Sequence, residues 1–314
     1  HGVAYFAFMI GFLNGKFLTR EPAKISVFDH GFLYSDGVYE TMLARGDKIR
    51  LLDAHLRRLK KSAELLGLKM PWSLAQIGQW VKKTASLNQS DSKQKQSNQT
   101  PSERNLSASG GLINKSPAWR GNLYKFKELR IRVTLTRGAN KFDFLSCNKP
   151  TLCIQAQKFI PAPQTVYKNG VKVVTVRCDR LLPQAKSISL LPMILGRQMM
   201  GKKGAFEAIF VDKKGFVREG TTTNVFIVEN GALFTPKNDI LSGVTRQFIL
   251  KLARKINIKA KETDFHVNCL YKADEVFITN SLKGIVPVIG VDKKAIAERK
   301  PGKITLKIMK KYDE

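Results

Sequence analysis

Short apolar runs separated by turn residues occupy the start of the chain and predict strands joined by hairpins. The turns read "NGK" at 14–16 and "RGDK" at 45–48. A helix is expected next, with Asp53 as its N-cap, Gly67 at its end, and an apolar stripe at helical spacing formed by Leu56, Leu59, Ala63 and Leu66. A second helix is expected around residues 73–85.

The apolar pattern disappears over residues 86–120, which are rich in Ser, Asn, Gln and Lys. A segment with so few large apolar residues cannot offset its ordering entropy by burial, so we predict a flexible polar insertion. Strands resume at "LRIRVTLTRG" and "PTLCIQAQKF". The stretch "FIPAPQTVYKNG" at 159–170 is typical of an interdomain linker.

The second half of the chain mixes strand and helix patterns. "EAIFVDKKGFVRE" and "TNVFIVENGALFTP" predict hairpins that turn at Gly215 and Gly231. A helix is expected after "LSGVTR", followed by the strand "ADEVFITN". We therefore predict an α/β (mixed α+β) protein with a small N-terminal α/β domain over 9–158. The linker 159–170 would lead to a larger C-terminal domain over 171–314, built mostly from antiparallel strands and helices.

Composition narrows the class of protein. The 314 residues are 43% hydrophobic, which is typical of a globular chain. The four cysteines form no C-x-x-C pair, which favours reduced thiols in a cytoplasmic protein over a disulfide framework or a zinc site. No metal-binding spacing links the four histidines, and His55 is expected to be a hydrogen-bonded core residue. "HGVAYFAFMIGFL" is too short to span a bilayer, so no membrane segment is expected, and Met9 is a candidate start after an eight-residue extension.

The net charge of +29 is the most unusual bulk property. A strongly basic chain can bind nucleic acid through its phosphates. Here the basic residues run along the whole chain, without an arginine-rich arm or a nucleic-acid-binding motif. We therefore favour solubility and the steering of anionic small molecules as the role of the charge, with nucleic-acid binding as the alternative.

One lysine, Lys186, lies between apolar runs in "LLPQAKSISLL". An ammonium group that loses hydration favours its neutral form, and a neutral lysine amine can form a Schiff base with a carbonyl compound such as pyridoxal phosphate (PLP). Alternatively, the lysine lays its stem on apolar neighbours and keeps its charge in water. The segment alone favours this second interpretation.

Three downstream features change that balance. Glu219 ends a strand in "VREGTTTNVFIV", and a carboxylate beside a pyridine nitrogen keeps that nitrogen protonated. Thr245 follows a glycine turn at a helix start, where free N–H groups can seat a phosphate. "FITNSLKGIVPV" adds Asn280 and Ser281 as further donors. Each feature by itself is also compatible with an ordinary strand end, helix start or turn.

The order and spacing of these features resemble the class IV (fold type IV) PLP-dependent aminotransferases. The upstream segments "FDHGFLYSDGVYETM", "HLRRLKKSAELLG" and "RVTLTRG" are similar to that family as well. The family includes branched-chain and D-amino acid aminotransferases and aminodeoxychorismate lyase. The resemblance covers nearly everything from Ile10 to about Thr305 except the insertion. It implies a two-domain fold type IV enzyme, pyridoxal 5'-phosphate as cofactor, a site between the domains and a homodimer.

The resemblance also implies roles for individual residues. Lys186 would form the Schiff base and move the Cα proton, and Glu219 would hold the pyridine nitrogen. The phosphate would be bound by Arg58, Val244, Thr245, Asn280 and Ser281. Tyr39 and Arg132 fall where relatives contact substrate. Thr41 is the candidate proton donor for an elimination reaction.

The motifs leave the reaction open. Leu191 stands where branched-chain enzymes carry a tyrosine, and "ANKFDFLSCN" lacks the arginine and histidine of the D-amino acid enzymes. "DGVYETM" and "TNSLKGIVPV" are similar to the lyases, whose Gly-Tyr loop is missing. We expect amino transfer between an amino acid (branched-chain or D-amino acid class) and a 2-oxo acid. The alternative is the lyase, which releases pyruvate and 4-aminobenzoate. A basic binding protein without catalysis is disfavoured by the intact Lys186, Glu219 and Arg58.

Overall fold

The computed structural model describes residues 9–89, 127–140 and 149–314, and its strands lie in two sheets. The first sheet is formed by β1 (Gly11–Leu13), β2 (Lys16–Leu18), β3 (Gly37–Arg45), β4 (Lys48–Ile49), β5 (Glu128–Thr136) and β6 (Thr151–Lys158). Its strand order is β2-β1-β6-β5-β3-β4, and every pair is antiparallel. The two predicted hairpins are confirmed, with left-handed φ angles at Gly15 (94°) and Gly46 (51°).

Three helices accompany this sheet: α1 (His30–Tyr34), α2 (Leu52–Leu65) and α3 (Leu74–Asn88). Helices α2 and α3 share one apolar core with β3, β5 and β6. Gly67 has a φ of 61° just after the end of α2, as predicted. The predicted N-cap was wrong, because Leu51 takes that position with a φ of 53° and Asp53 lies inside the first turn. The chain leaves β4 only two residues before α2, so the tight turn is made by the backbone of Leu51.

Helix α3 runs three residues beyond its predicted end at 85. Asn88 is buried and holds the helix to the start of β1: its side chain accepts from Ile10 N at 2.9 Å and donates to Ile10 O at 2.8 Å. Residues 86–88 therefore belong to the helix and not to the predicted insertion. Residues 90–120 of that insertion, and the extension 1–8, lie outside the described residues.

The second sheet contains β7 (Val171–Arg177), β8 (Glu207–Val211), β9 (Val217–Gly220), β10 (Asn224–Glu229), β11 (Ala232–Thr235), β12 (Ala260–Glu262), β13 (Glu275–Asn280), β14 (Gly284–Val291) and β15 (Lys294–Ala295). The order is β12-β11-β10-β13-β14-β7-β8-β9, with β15 on β14. Most pairs are antiparallel, as predicted, and β7–β8, β7–β14 and β11–β12 are parallel. Strand β9 also pairs with β10, Glu219 opposite Asn224, which closes six strands into a ring.

The hairpins predicted at Gly215 and Gly231 are confirmed, and the two glycines have φ angles of 85° and 76°. The helices of this half are α4 (Gln164–Asn169), α5 (Leu191–Lys202), α6 (Val244–Lys255), α7 (Val267–Lys272) and α8 (Lys303–Asp313), with a 3-10 turn at Ala297–Arg299. Helices α6 and α8 cover the sheet over the stacked rings of Phe226 and Phe277.

Helix α4 lies inside the predicted linker 159–170 and was not predicted. It starts after Pro163 and ends at Gly170, whose φ is 74°. Val166 and Tyr167 pack on the core of the second sheet, which supplies the burial that this short segment needs to be helical. The domain limits 9–158 and 171–314 stay predictions, although each contains one of the two sheets.

Within residues 9–89, 127–140 and 149–314 there is neither a helix long and apolar enough to cross a membrane nor a cluster of potential metal ligands. Several carboxylates are buried, including Glu40, Glu207, Glu219 and Glu275. The lysines of α3, α6 and α8 are exposed. This distribution gives the surface a strongly positive character.

Candidate active site

A cavity of about 310 Å³ lies between the two sheets. Its volume is within the range of small-molecule sites. All ten site residues predicted from the sequence line it: Tyr39, Thr41, Arg58, Arg132, Lys186, Glu219, Val244, Thr245, Asn280 and Ser281. The structure therefore brings together residues that are separated by up to 242 positions in the chain.

Strand alternation supplies the wall of the pocket on the first sheet. Thr41 of β3 lies opposite Arg132 of β5, and Tyr39 lies opposite Thr134, so these side chains share one face. Their neighbours on the other face, such as Val38 and Met42, are buried in the core. Arg130 shares the pocket face with Arg132 and was not predicted, although the spacing of two residues in "LRIRV" was a usable signal.

Lys186 is anchored by its backbone to the first sheet. Its carbonyl accepts from Tyr39 N at 2.9 Å, its N–H donates to the Ser62 hydroxyl at 3.1 Å, and Ile188 N donates to Gly37 O at 2.9 Å. The segment thus pairs with the free edge of β3. The Lys186 Nζ lies 4.5 Å from the centre of the Tyr39 ring, and the Arg132 guanidinium carbon lies 4.0 Å from it. One aromatic ring therefore contacts both cations.

The apolar residues around Lys186 are less buried than their sequence indicates. Lys186 itself is half-buried, whereas Leu181 is 98% exposed and Leu191 is 63% exposed. Only one side of the segment packs on β3 and α2, which leaves these two leucines exposed. An apolar surface remains beside the pocket.

A buried charge cluster fixes Arg58. Its Nε and Nη2 donate to the two carboxylate oxygens of Glu40 at 2.7 and 2.8 Å, and its Nη1 donates to Ser242 O at 3.2 Å. His55 Nδ1 lies 2.7 Å from Glu40 Oε2, and the ring is 1% exposed, so the prediction of a hydrogen-bonded core histidine is confirmed.

The cluster has a defined charge state. Burial alone would raise the pKa of Glu40, but the charge of Arg58 and hydrogen bonds from Arg58 and His55 outweigh it and lower this pKa to about 2. Burial lowers the pKa of His55, and its hydrogen bond to Glu40 opposes this only in part. A neutral His55 therefore donates its Nδ1 hydrogen to an ionised Glu40.

Glu219 lies at the end of β9, where the ring of strands closes. It is 4% exposed, and burial raises the pKa of its carboxyl group. Arg180 Nη1 donates to Oε1, Leu241 N donates to Oε2 at 3.0 Å, and the charge of Lys186 also acts to lower the pKa. Arg180 was not predicted as a site residue, because nothing in the local pattern joins it to Glu219.

The start of α6 forms a second polar end of the pocket. Gly243 is its N-cap, without a side chain to bond the first N–H groups, and Val244 and Thr245 line the cavity. A Cβ at Gly243 would collide with the side-chain oxygen of Asn224, so the close approach requires glycine. Free N–H groups and the positive end of a helix favour an anion.

The turn between β13 and β14 adds to this end. Ser281 Oγ lies 3.5 Å from Thr245 Oγ1. Asn280 Oδ1 accepts from Leu282 N and Lys283 N at 3.0 and 2.8 Å, so only its amide Nδ2 stays available to a ligand. Burial lowers the pKa of Lys283, which lines the cavity and was not predicted.

A buried carboxylate shapes the threonine-rich turn after Glu219. Glu207 is 3% exposed and accepts from Thr221 N at 3.2 Å and from the hydroxyls of Thr222 and Thr223 at 3.1 and 3.2 Å. All three threonines line the pocket. Their hydroxyl hydrogens point at Glu207, which fixes the turn that carries Glu219 toward β10.

The charge of the pocket is strongly unbalanced. Among the described lining residues Glu219 supplies the carboxylate, whereas the cations are Arg58, Arg130, Arg132, Arg180, Lys186, Arg197 and Lys283. Such a site attracts anionic ligands. The Lys186 and Lys283 amines, the buried Glu219 carboxylate and the anion-binding N-terminus of α6 therefore surround the same cavity.

Curated relatives match almost the full chain. A protein of Methanocaldococcus jannaschii, provisionally named branched-chain-amino-acid aminotransferase, is 34% identical over 313 residues, covering 96% of this chain and 95% of the relative. A D-alanine aminotransferase of Staphylococcus aureus (strain N315) is 28% identical, with 96% of each chain covered.

Solved structures support the fold. A branched-chain amino acid aminotransferase from Escherichia coli superposes with a TM-score of 0.79 at 22% identity, covering 96% of this chain and 92% of that one. A 4-amino-4-deoxychorismate lyase from Pseudomonas aeruginosa gives a TM-score of 0.74 at 24% identity, covering 96% and 97%. At these identities the likeness concerns the fold alone, and the predicted fold type IV architecture is confirmed. The amino-transferase class IV family model matches residues 37–291, and the chain belongs to the class IV aminotransferase family.

Proposed function

We propose that this protein is a PLP-dependent aminotransferase that moves an amino group between an amino acid and a 2-oxo acid. The observation that carries the proposal is the arrangement of Lys186, Glu219 and the start of α6 around one cavity. These groups differ in chemistry: an amine, a buried carboxylate and an anion seat. Pyridoxal phosphate has three matching parts: an aldehyde that reacts with an amine, a ring nitrogen that binds a carboxylate, and a phosphate that binds at an anion site.

The residues present fit pyridoxal 5'-phosphate. Lys186 offers the amine for the aldehyde, and Glu219 offers a carboxylate oxygen to the ring nitrogen. The phosphate would be held by Arg58 and by the anion-binding site formed from Val244, Thr245, Asn280 and Ser281. When bound, this cofactor supplies an electron sink for the charge left on Cα after proton removal.

The chain's own residues then position and move protons. Backbone contacts hold Lys186 on the β3 edge, with its amine beside the Tyr39 ring. From there the amine would take the proton from the substrate's Cα and deliver it to the carbon that forms the cofactor's aldehyde. Glu40, which His55 holds in turn, binds Arg58, so the phosphate group would meet an arginine already fixed in orientation. Arg58 would thus hold the phosphate and Glu219 the ring nitrogen while the Lys186 amine transfers the proton.

The substrate is proposed to be an amino acid of the branched-chain or D-amino acid class. Tyr39 and Arg132 line the pocket on the first sheet, and the arginine can pair with a substrate carboxylate. The names of the curated relatives support both classes. The alternative is the aminodeoxychorismate lyase reaction, in which Thr41, on the same face as Tyr39, would act as proton donor. Residues 141–148, which belong to the stretch without the arginine and histidine of the D-amino acid enzymes, lie outside the described residues.

A homodimer is part of the proposal. Two segments carry exposed apolar residues, one before β3 and one on either side of the Lys186 pairing with β3. The first contains Val27, Phe28 and Phe32, and the second contains Leu181, Leu191, Ile194 and Leu195. Ile194 also lines the pocket, so a second copy on this surface would border the site. A cytoplasmic location stays a prediction.

Replacing Lys186 with Ala should abolish the visible absorbance of a lysine-linked cofactor, and turnover with it, while leaving the far-UV circular dichroism unchanged. Lys283→Ala is the matched control, because Lys283 is the other lysine of the pocket and burial lowers its pKa. It should retain the absorbance. Loss of the band in Lys283→Ala with its retention in Lys186→Ala would assign the covalent link to Lys283.

Glu40→Gln should lower the free energy of unfolding at pH 7 by roughly 3 kcal/mol, because it breaks a buried ion pair. The pKa of Glu40 is lower in the folded protein, about 2, so its contribution is complete above the unfolded pKa near 4.5 and is lost as pH falls toward 2. Between pH 4.5 and pH 2 the free energy of unfolding should therefore fall less in Glu40→Gln than in the wild type, as measured by denaturant unfolding.

Glu64→Gln is the control for Glu40, since Glu64 forms only an exposed pair with Lys60 on α2. Its effect should stay within about 0.5 kcal/mol. A Glu40→Gln acid profile parallel to that of the wild type would contradict the buried charge pair.

Amino transfer and lyase activity differ after the Cα proton leaves. A transaminase mixed with one amino acid and no oxo acid should convert its cofactor stoichiometrically to the amine form, read from the loss of the aldehyde-form absorbance. We expect this with at least one L- or D-amino acid, and an added 2-oxo acid should restore the spectrum. Absence of any half-reaction, together with pyruvate release from aminodeoxychorismate, would assign the lyase reaction instead.

Wild-type protein should sediment at twice the chain mass of 35.3 kDa. Leu191→Glu should shift it toward the monomer, because a charge would replace a leucine that is 63% exposed in one chain and covered by the second copy. Leu306→Glu, at a leucine 46% exposed on α8, should leave the mass unchanged. A wild-type monomer at micromolar concentration would refute the dimer.

A further inference from the structure

Arg180 and Glu219 form an ion pair in the wall of the cavity. Their side chains are 11% and 6% exposed, and Arg180 Nη1 donates to Glu219 Oε1. Leu241 N donates to the other oxygen at 3.0 Å. Each oxygen of the carboxylate therefore already has one donor, and the direction of the group is set before any ligand arrives.

The pair stands between two cavities. Both residues line the main pocket, and both also line a second cavity of about 70 Å³ on the other side. The second cavity is bordered by acidic side chains, including Asp179, Asp212 and Asp239. Asp212 and Asp239 contact Arg218, so Arg218 already engages these acids and Arg180 has Glu219 as its ion-pair partner.

The charges facing Glu219 are mostly positive. Arg180 contacts it directly, and Lys186 and Arg246 interact with it over a longer distance. Arg246 is engaged by Glu262 through its Nη2 at 2.6 Å, and Lys186 has its role on the pocket side. On the side of the small cavity lie Cys178, Asp179, Asp212, Arg218 and Asp239. Arg180 is therefore the cation that acts most directly on this carboxylate.

We propose that Arg180 is a positioning residue that aims the Glu219 carboxylate into the pocket and makes it a weaker proton acceptor. The part of this inference that concerns the cofactor rests on the proposed function. In the loaded protein the ring nitrogen would meet an ion pair and not a lone carboxylate. Because the guanidinium repels a second positive charge, the ring nitrogen gives up its proton at lower pH than it would beside Glu219 alone.

The effect on Glu219 can be measured without cofactor. A buried carboxyl group that carries a proton has an infrared carbonyl stretch, and the part due to Glu219 is the part that Glu219→Gln removes. We would titrate the full-length, cofactor-free protein and follow this band in the wild type and in Arg180→Gln. An opposite charge at this range shifts a carboxyl titration by roughly 1–3 pH units, so the band should persist to a pH higher by that amount in Arg180→Gln.

Matched variants separate charge from structure. Arg180→Lys keeps the charge and should titrate close to the wild type, and Arg180→Met is a second neutral variant if Arg180→Gln does not fold. Arg137→Gln is the control, since Arg137 is also 11% exposed and paired, with Asp36, but does not line the pocket. It should leave the Glu219 band unchanged.

The loaded protein supplies the second measurement. With cofactor labelled with ¹⁵N in the ring, the nitrogen chemical shift reports protonation, and the neutral Arg180 variants should keep that proton to higher pH than the wild type. Neutral variants that lose thermal stability but titrate like the wild type in the infrared would reduce Arg180 to a structural role and overturn the proposal. The infrared result stands even if the protein proves not to bind PLP, so the two failures are distinguishable.

Discussion

The pairing of the Lys186 segment with the edge of β3 is the contact on which the site depends. Strand β3 is covered on one side by β5, and its other edge near Gly37–Tyr39 is left open by the short β4. Two backbone hydrogen bonds, from Tyr39 N to Lys186 O and from Ile188 N to Gly37 O, hold a lysine from the second half of the chain at that edge, and Lys186 N donates to the Ser62 hydroxyl of α2. These contacts place the Lys186 amine in the same cavity as the residues of the first sheet.

Buried ion pairs then set the direction of the charged groups. Arg58 is held by Glu40, which His55 also contacts, and Glu219 is held by Arg180 where β9 meets β10. Buried pairs of this kind add little net stability relative to apolar residues, but removing one partner is costly. Their value here is orientation, because both Arg58 and Glu219 face a cavity in which the charge of a ligand must be matched.

The second sheet supplies the other constraint. Its closure into a ring places the Glu219–Asn224 pair beside the N-terminus of α6, where Gly243 allows a close approach to Asn224. The threonine turn between these residues is fixed by hydrogen bonds from the Thr222 and Thr223 hydroxyls to the Glu207 carboxylate. A carboxylate and an anion seat thereby occupy fixed positions on a rigid scaffold, as a site that must bind two ends of one molecule requires.

The sequence by itself determined the features that depend on neighbours in the chain. Glycines marked the hairpins because glycine adopts left-handed φ angles without steric cost, and helical spacing identified α2 because one face of that helix is buried. The order of the motifs also identified ten residues that line one pocket.

Only the tertiary structure decided which charged side chains pair with each other. Arg180 and Glu219 are 39 positions apart, and Glu207 lies 14 to 16 positions from its threonines. The length of α3 depends on a contact between Asn88 and Ile10, and the exposure of Leu181 depends on what packs beside it. No local pattern encodes such partners, because burial and charge pairing are properties of segments brought together by folding.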